Sequence, residues 1–407
     1  MTNPSHDPRT YSEYLGRKYM PELDGLRAIS VLLVVSVHLH ATALWEWLGG
    51  WQGVSIFFVL SGYLITSLAL QEESKRGQLS LGAFYIRRSF RIFPLYYLTL
   101  GVYCLLIFGL RMNYDEKGFL LAKAMPWYLL YMQEVPVLCG LPNQHGVVQI
   151  GNIPFYQSWS LGIEEKFYLV WPLLAFVLWR GSRALRFAGT TALVAAFAAV
   201  PLVCGWLAPL VPRMHLVDIG LCLEPYYRIL VGCLLALALN DRAWFERLRG
   251  LGTATATAIA LAIVVVLHFV RPMVPPQGEW LQRLADVHGL AYILAVAAFL
   301  IGVLLGDGPI HRFLRRPRLV LVGRISYGIY LIHILCTNVA EKILARVGEG
   351  LVFNLLAYAL TAALSIAVAY ALYRLIEHPL IEFGRRWSNR VLDRGPVRLA
   401  TVGAEEL

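Results

Sequence analysis

The sequence predicts an all-α fold, a polytopic transmembrane helical bundle of about ten spans with a possible extra re-entrant or interfacial helix. Three observations predict it. Of the 407 residues, 58% are hydrophobic and 15% charged, and the mean hydropathy of +0.58 is too high for a water-soluble globule of this size. Apolar stretches long enough to cross a bilayer recur from end to end. Lysine and arginine gather between them in separate clusters.

In chain order the expected spans are 28–45, 52–70, 92–110, 163–179, 187–210, 223–240, 253–270, 287–305, 320–345 and 352–377. The first follows a polar lead too long for a signal peptide and has no small-residue cleavage site, so it is expected to remain in the mature chain. Residues 119–135 are ambiguous, because Lys123, Pro126, Gln133 and Glu134 shorten the apolar run; an interfacial or re-entrant segment fits them. If that segment does not cross, the basic clusters around Arg9–Lys18, Lys75–Arg91, Arg180–Arg186, Arg242–Arg249, Arg312–Arg318 and Arg385–Arg398 all fall on one side. The positive-inside bias then puts both termini in the cytoplasm of a multi-pass protein of the plasma (inner) membrane.

Residues 1–20 are expected to form a cytoplasmic segment, 21–386 the transmembrane domain, and 387–407 a disordered cytoplasmic tail. The net charge of +10 is accounted for by loops beside anionic lipid, and nucleic acid is not expected as a partner. Cys104, Cys139, Cys204, Cys222, Cys233 and Cys336 are scattered as small apolar filler, without zinc or disulfide spacing. His145, His215, His268, His288 and His311 lie near presumed loops or span edges and are expected to be solvated or interfacial, with no metal-ligand spacing. No internal repeat is visible, and nothing in the sequence sets an oligomeric state.

Against this background "ELDGLRAISVLLVVSVHLH" (22–40) is unusual. Arg27 and His38 are eleven residues apart, close to three turns, so a continuous helix would put them on one side about 16 Å apart. Arg27 is expected at the cytoplasmic boundary and His38 near mid-membrane, facing the bundle interior; His40 faces elsewhere. An ionisable group at that depth is a functional candidate by default, and a neutral imidazole is what a general base needs. The next span carries "FFVLSGYLIT", with Ser61 and with Gly62 suited to close helix packing. "FYIRRSFRIFPLYYL" then places Arg88 and Arg91 three apart on one helical face, which suits phosphate recognition by forked guanidinium groups.

These motifs, in this order, resemble the acyltransferase family 3 of integral membrane O-acyltransferases. "SWSLGIEEKFYLVWP" (158–172), "ISYGIYLIH" (325–333) and "LIEHPL" (375–380) continue the resemblance over nearly the whole chain. It implies transfer of an acyl group, acetyl first among the candidates, from cytoplasmic acyl-CoA as co-substrate to a hydroxyl of a carbohydrate or glycoside, with no bound cofactor. It implies that His38 is catalytic, as base or acyl carrier, with Arg27 as companion, and that Arg88 and Arg91 handle the donor. Glu164 would orient the acceptor near the outer end of its helix, where Glu165 could instead serve the helix dipole. Ser61, Ser326, Tyr327, His333 and Glu377 are acceptor or support candidates; Tyr330 is a softer one. Glu377 could simply pair with an arginine, and Arg228 could snorkel to an interface. Gly162 and Lys166 stand where the family often has Ser and Gln, and the extracytoplasmic hydrolase-like domain of some relatives is expected to be absent. The rival class is a proton-coupled transporter or flippase with buried histidines as relays.

Overall fold

The computed structural model describes residues 9–39, 43–112, 117–138, 142–143, 146–147, 153–207, 220, 222–270, 279–346 and 350–393. His40, His145 and His215 lie outside them. In chain order the helices are α1 (Tyr11–Gly16), α2 (Pro21–Val37), α3 (Ala43–Leu48), α4 (Trp51–Arg76), α5 (Leu81–Cys104), α6 (Phe119–Leu129), α7 (Glu134–Leu138), α8 (Trp159–Leu173), α9 (Arg183–Leu207), α10 (Pro225–Asn240), α11 (Arg242–Leu248), α12 (Ala254–Val270), α13 (Glu279–Leu305), α14 (Pro309–Leu314), α15 (Pro317–Arg324), α16 (Ser326–Leu344), α17 (Leu351–Leu372) and α18 (His378–Asp393). Among the described residues the sole ladder pairs Pro142–Asn143 with Gly146–Val147.

Local chemistry sets several ends. Thr10 and Glu13 form a capping box on α1. Pro21 opens α2, with Glu22 and Asp24 in its first turn. Gly77, at φ +74, closes α4 in the left-handed region, and Ser80 then caps α5.

Among the described residues, five helices are long and apolar enough to cross a membrane, or seven if each of two bent pairs is one span. The bent pairs are α11 with α12, at 81°, and α15 with α16, at 76°. The span expected at 320–345 is therefore broken, beside Ile325. Two other expected spans are helices of 17 and 16 residues, α2 and α10, each short of the roughly 20 residues that a perpendicular crossing takes, whereas α8 reaches about that length with the wider turn Leu174–Leu178 that continues it. With 11 residues, α6 is shorter still. The helical run Leu351–Asp393 continues through 43 residues, so residues 387–393 are helical where a disordered tail was expected.

α2 and α4 stand at the centre because both of their faces are apolar. Val31, Val34 and Phe58 pack into one core with Tyr96, Tyr128, Phe155 and Trp171. Leu23, Leu26, Val59 and Tyr63 pack into a second with Tyr227, Tyr292, Phe299 and Leu300. α4 and α10 touch backbone to backbone. A Cβ added to Gly62 would lie 1.8 Å from the Ile229 carbonyl oxygen, and one added to Gly232 would lie 2.0 Å from that of Val59. Only hydrogen fits at either position, as in other membrane helix pairs that touch backbone to backbone.

The described parts of the six basic clusters meet at one end of the bundle. Glu22, 1% exposed, accepts from Arg17 and Arg315 and lies 3.5 Å from Arg9. Tyr11 donates to the Asn240 carbonyl at 2.6 Å, Arg180 to that of Gly77 at 3.4 Å, and Arg76 to that of Leu392 at 3.5 Å.

Replacing Gly62 by Val forces α4 from α10 and is expected to cost about 3 kcal/mol. Thermal unfolding in detergent checks this, and an unchanged midpoint would remove the close approach as a stability determinant.

Candidate active site

Ser160, Glu164 and Tyr168 recur every fourth residue on α8, so one stripe of the helix brings all three to a cavity of 230 Å3. Glu165 joins them. α2 supplies Asp24 and Arg27, α5 supplies Arg88 and Arg91, α4 supplies Ser61, and α16 supplies Ser326, Tyr327 and Tyr330. The fold thus brings together eight of the chosen residues: Arg27, Ser61, Arg88, Arg91, Glu164, Glu165, Ser326 and Tyr327.

The cavity holds three arginines and three carboxylates. Ser61 donates to Glu164 Oε1 at 2.8 Å. The Arg88 guanidinium lies over the Tyr168 ring, 4.6 Å from its centroid. Tyr327 donates to the Ile92 carbonyl at 2.8 Å. Arg27 Nε and Ser326 Oγ are buried without a partner among the described residues. These unmet groups suit a polar, anionic guest.

His38 lies elsewhere. α2 ends at Val37 and His38 is its C-cap, at φ −100 and ψ 5. The continuous helix expected through residues 28–45 is absent, and Arg27 sits well inside α2. α2 still carries the three turns from Arg27 to His38, but His38 is not among the residues lining the cavity that holds Arg27. Its partner is His333. His333 Nε2 lies 3.1 Å from His38 Nδ1, and His333 Nδ1 lies 2.7 Å from the Tyr330 carbonyl oxygen.

A carbonyl only accepts, so His333 Nδ1 carries hydrogen, and a neutral His333 offers Nε2 as an acceptor. His38 Nδ1 also lies 2.9 Å from the Val34 carbonyl oxygen. Both neighbours accept, which places the proton of a neutral His38 on Nδ1. Its Nε2, buried and without a partner among the described residues, is left with a bare lone pair. Trp51 and Tyr156 flank the ring at 5.5 and 5.6 Å.

Tyr330 joins the two regions. Its carbonyl accepts from His333 while its side chain lines the cavity. The phenol donates to the Gln157 carbonyl at 2.5 Å, so at 2.7 Å it must accept from Ser160.

Other expectations are corrected by position. Glu164 and Glu165 lie beyond the first turn of α8, beside the arginines, so neither serves the helix start. Glu377 is 3% exposed, and its Oε2 has no partner among the described residues. Arg228 does not snorkel; it pairs with Glu224 at 2.6 Å and donates to Ser55 at 3.0 Å. His268 and His311 are buried, against the Leu48 and Gly302 carbonyls. Gly162 and Lys166 share one neighbour: a Cβ on Gly162 would lie 2.5 Å from Glu134 Oε2, and Lys166 Nζ lies 2.6 Å from Glu134 Oε1. Sequence reasoning missed Asp24, Ser160 and Tyr168, although their three- and four-residue offsets from Arg27 and Glu164 were readable.

A bundle of apolar helices surrounds a charged cavity, with a half-buried histidine paired to a buried one beside it, and this is a constellation that a membrane-embedded group-transfer domain can use. The chain belongs to acyltransferase family 3: the family model, described as an acyltransferase domain, matches residues 20–374. It is 37% identical over 172 residues to the peptidoglycan O-acetyltransferase OatA of Listeria monocytogenes, covering 40% of this chain and 25% of that protein. The O-acetyltransferase OatA of Staphylococcus aureus is 28% identical over 378 residues, 90% of this chain and 58% of that protein. A putative O-acetyltransferase of S. aureus is 35% identical over 175 residues, 41% of this chain and 26% of that protein. The chain thus spans between a quarter and three fifths of the length of these relatives. No solved structure matches.

Replacing Tyr330 by Phe strips the Gln157 carbonyl and the Ser160 hydroxyl of their buried partner, with an expected loss of about 2 kcal/mol. A melting midpoint equal to the parent's would show that water takes over both bonds.

Proposed function

We propose that this protein is a membrane O-acyltransferase that moves an acyl group, acetyl first among the candidates, from cytoplasmic acyl-CoA to a hydroxyl of a cell-envelope carbohydrate. The observation that carries the reading is the bare, buried Nε2 of His38, linked through His333 and Tyr330 to a cavity with three arginines. The family membership supports acyl transfer. The name of the Listeria relative points to peptidoglycan as the acceptor class.

The chemistry follows from the donors and acceptors present. Arg88 and Arg91 share a helical face and offer forked guanidinium groups to the phosphates of CoA. Arg27, opposite them on α2, adds a third cation. Glu164, held by Ser61, orients a polar group within the cavity. His38 Nε2 removes the proton of the acceptor hydroxyl as its oxygen attacks the thioester carbonyl carbon. The carbon–sulfur bond breaks, and the imidazolium returns the proton to the leaving thiolate, so the ester and CoA thiol are the products. While charged, the ring keeps its Nδ1 proton between Val34 and His333. An acyl-imidazole route would use the same nitrogen as nucleophile.

In this reading the basic end of the bundle is cytoplasmic, with ten crossings and both termini inside. The six clusters that meet there support that sidedness.

Purified protein offered radiolabelled acetyl-CoA and muropeptides or other envelope glycans should release CoA thiol and gain labelled ester. His38→Ala is expected to lower kcat at least about 100-fold. Arg88→Lys is expected to raise the donor KM roughly tenfold with a smaller change in kcat. Coupled acceptor or proton flux with no thioester consumption would overturn the reading in favour of a transporter.

A further inference from the structure

A second cavity, of 820 Å3, opens at the basic end, where the C-terminal ends of α4 and α10 meet the start of α9. Arg180, Arg183 and Arg186 reach it at three-residue spacing. Arg186 is already paired, donating through both terminal nitrogens to Glu73 at 2.6 and 2.6 Å. Asp241 is engaged as well, since its Oδ1 accepts from the backbone of Ala243 at 3.0 Å and of Trp244 at 3.2 Å. Arg180 and Arg183 are exposed, and neither has a carboxylate within 4.0 Å among the described residues. The two acids at the cavity are therefore spoken for, and two guanidinium groups remain.

The rest of the wall is mixed, with Ser74, Ser182 and Asn240 beside an apolar group. Leu70 and Leu237 line it, and Phe187 stacks on Trp244 with ring centroids 5.2 Å apart. Only 11% of the apolar window of α9 is buried within the bundle, so this helix shows most of its surface to lipid. A cavity with two arginines at its mouth, Arg183 and an Arg180 held only to the Gly77 carbonyl at 3.4 Å, and with aromatic and leucine side chains behind them, beside a lipid-facing helix, matches a molecule with an anionic head and an apolar body. Free phosphate would gain nothing from the apolar wall.

We infer that this cavity is a binding site for the headgroup of an anionic phospholipid. Arg180 and Arg183 take the phosphodiester, the Phe187–Trp244 pair takes the glycerol region, and the acyl chains run along α9. The site is separate from the donor cavity and does not depend on the reaction proposed above.

Native mass spectrometry of the detergent-solubilised protein titrated with phosphatidylglycerol or phosphatidylcholine tests the inference. One phosphatidylglycerol should be retained in clear preference to phosphatidylcholine. The double variant Arg180→Ala/Arg183→Ala should weaken that retention about 30-fold, and Arg180→Lys/Arg183→Lys should recover most of it. Melting of each variant in the absence of lipid separates misfolding from lost binding. Equal retention of both lipids would overturn the inference. So would phosphatidylglycerol binding that is indifferent to a correctly folded double alanine variant, or displacement by equimolar inorganic phosphate.

Discussion

Charge held away from water is the constraint around which this bundle is organised. Arg27, Arg88 and Arg91 share a cavity with Asp24, Glu164 and Glu165, and none of these groups is tolerable singly among apolar helices. Opposite signs in equal number, a serine on one carboxylate and a phenol face under one guanidinium let them solvate one another. The arrangement requires four helices, α2, α4, α5 and α8, to keep fixed rotations about their axes. That requirement explains why the interior is both packed and polar, and why unmet polar atoms concentrate where a guest would enter.

The second requirement is proximity. α4 must present Ser61 to α8 on one face and still pack on α10 with the other. The two glycine contacts let it do so, by bringing backbones within reach of each other where side chains would have held them apart. Tyr330 makes a comparable link at side-chain level, since its phenol ties α16 to α8 and its carbonyl steadies the histidine pair. Disturbance of either contact would reach the cavity through backbone, not through the charged groups themselves.

Much of this was legible in the sequence, and the reasons are physical. Helical spacing is a local property, so Arg88 with Arg91 and Glu164 with its neighbours could be placed on faces before any fold was known. The apolar runs located the helices for the same reason. What could not be read was where helices stop inside apolar sequence. Val37 to His38 carries no proline, glycine or charge to mark an end, yet α2 terminates there, just past the three turns that separate Arg27 from His38. The bend beside Ile325 follows Gly323 and Arg324, which lie inside an apolar run that reads as one span. The His38–His333 pair joins residues 295 apart in sequence, and only tertiary structure brings such residues into contact. His268 and His311 were misplaced because a histidine at a span edge looks solvated until its carbonyl acceptor is seen.

The unbroken run Leu351–Asp393 has one more consequence. Its 43 residues extend roughly 64 Å at helical rise, about twice the thickness of a bilayer's hydrocarbon slab. Nearly half of it must therefore stand in the headgroup layer or beyond. Phe383 and Trp387 on that portion gather around Phe90 of α5, with centroids 5.3 and 5.7 Å away, and Arg385, Arg386 and Arg390 follow the same stretch. Aromatic rings and cations so placed work as a waterline, fixing how deep the molecule floats and thereby the level at which a water-borne reactant meets the arginine-lined opening.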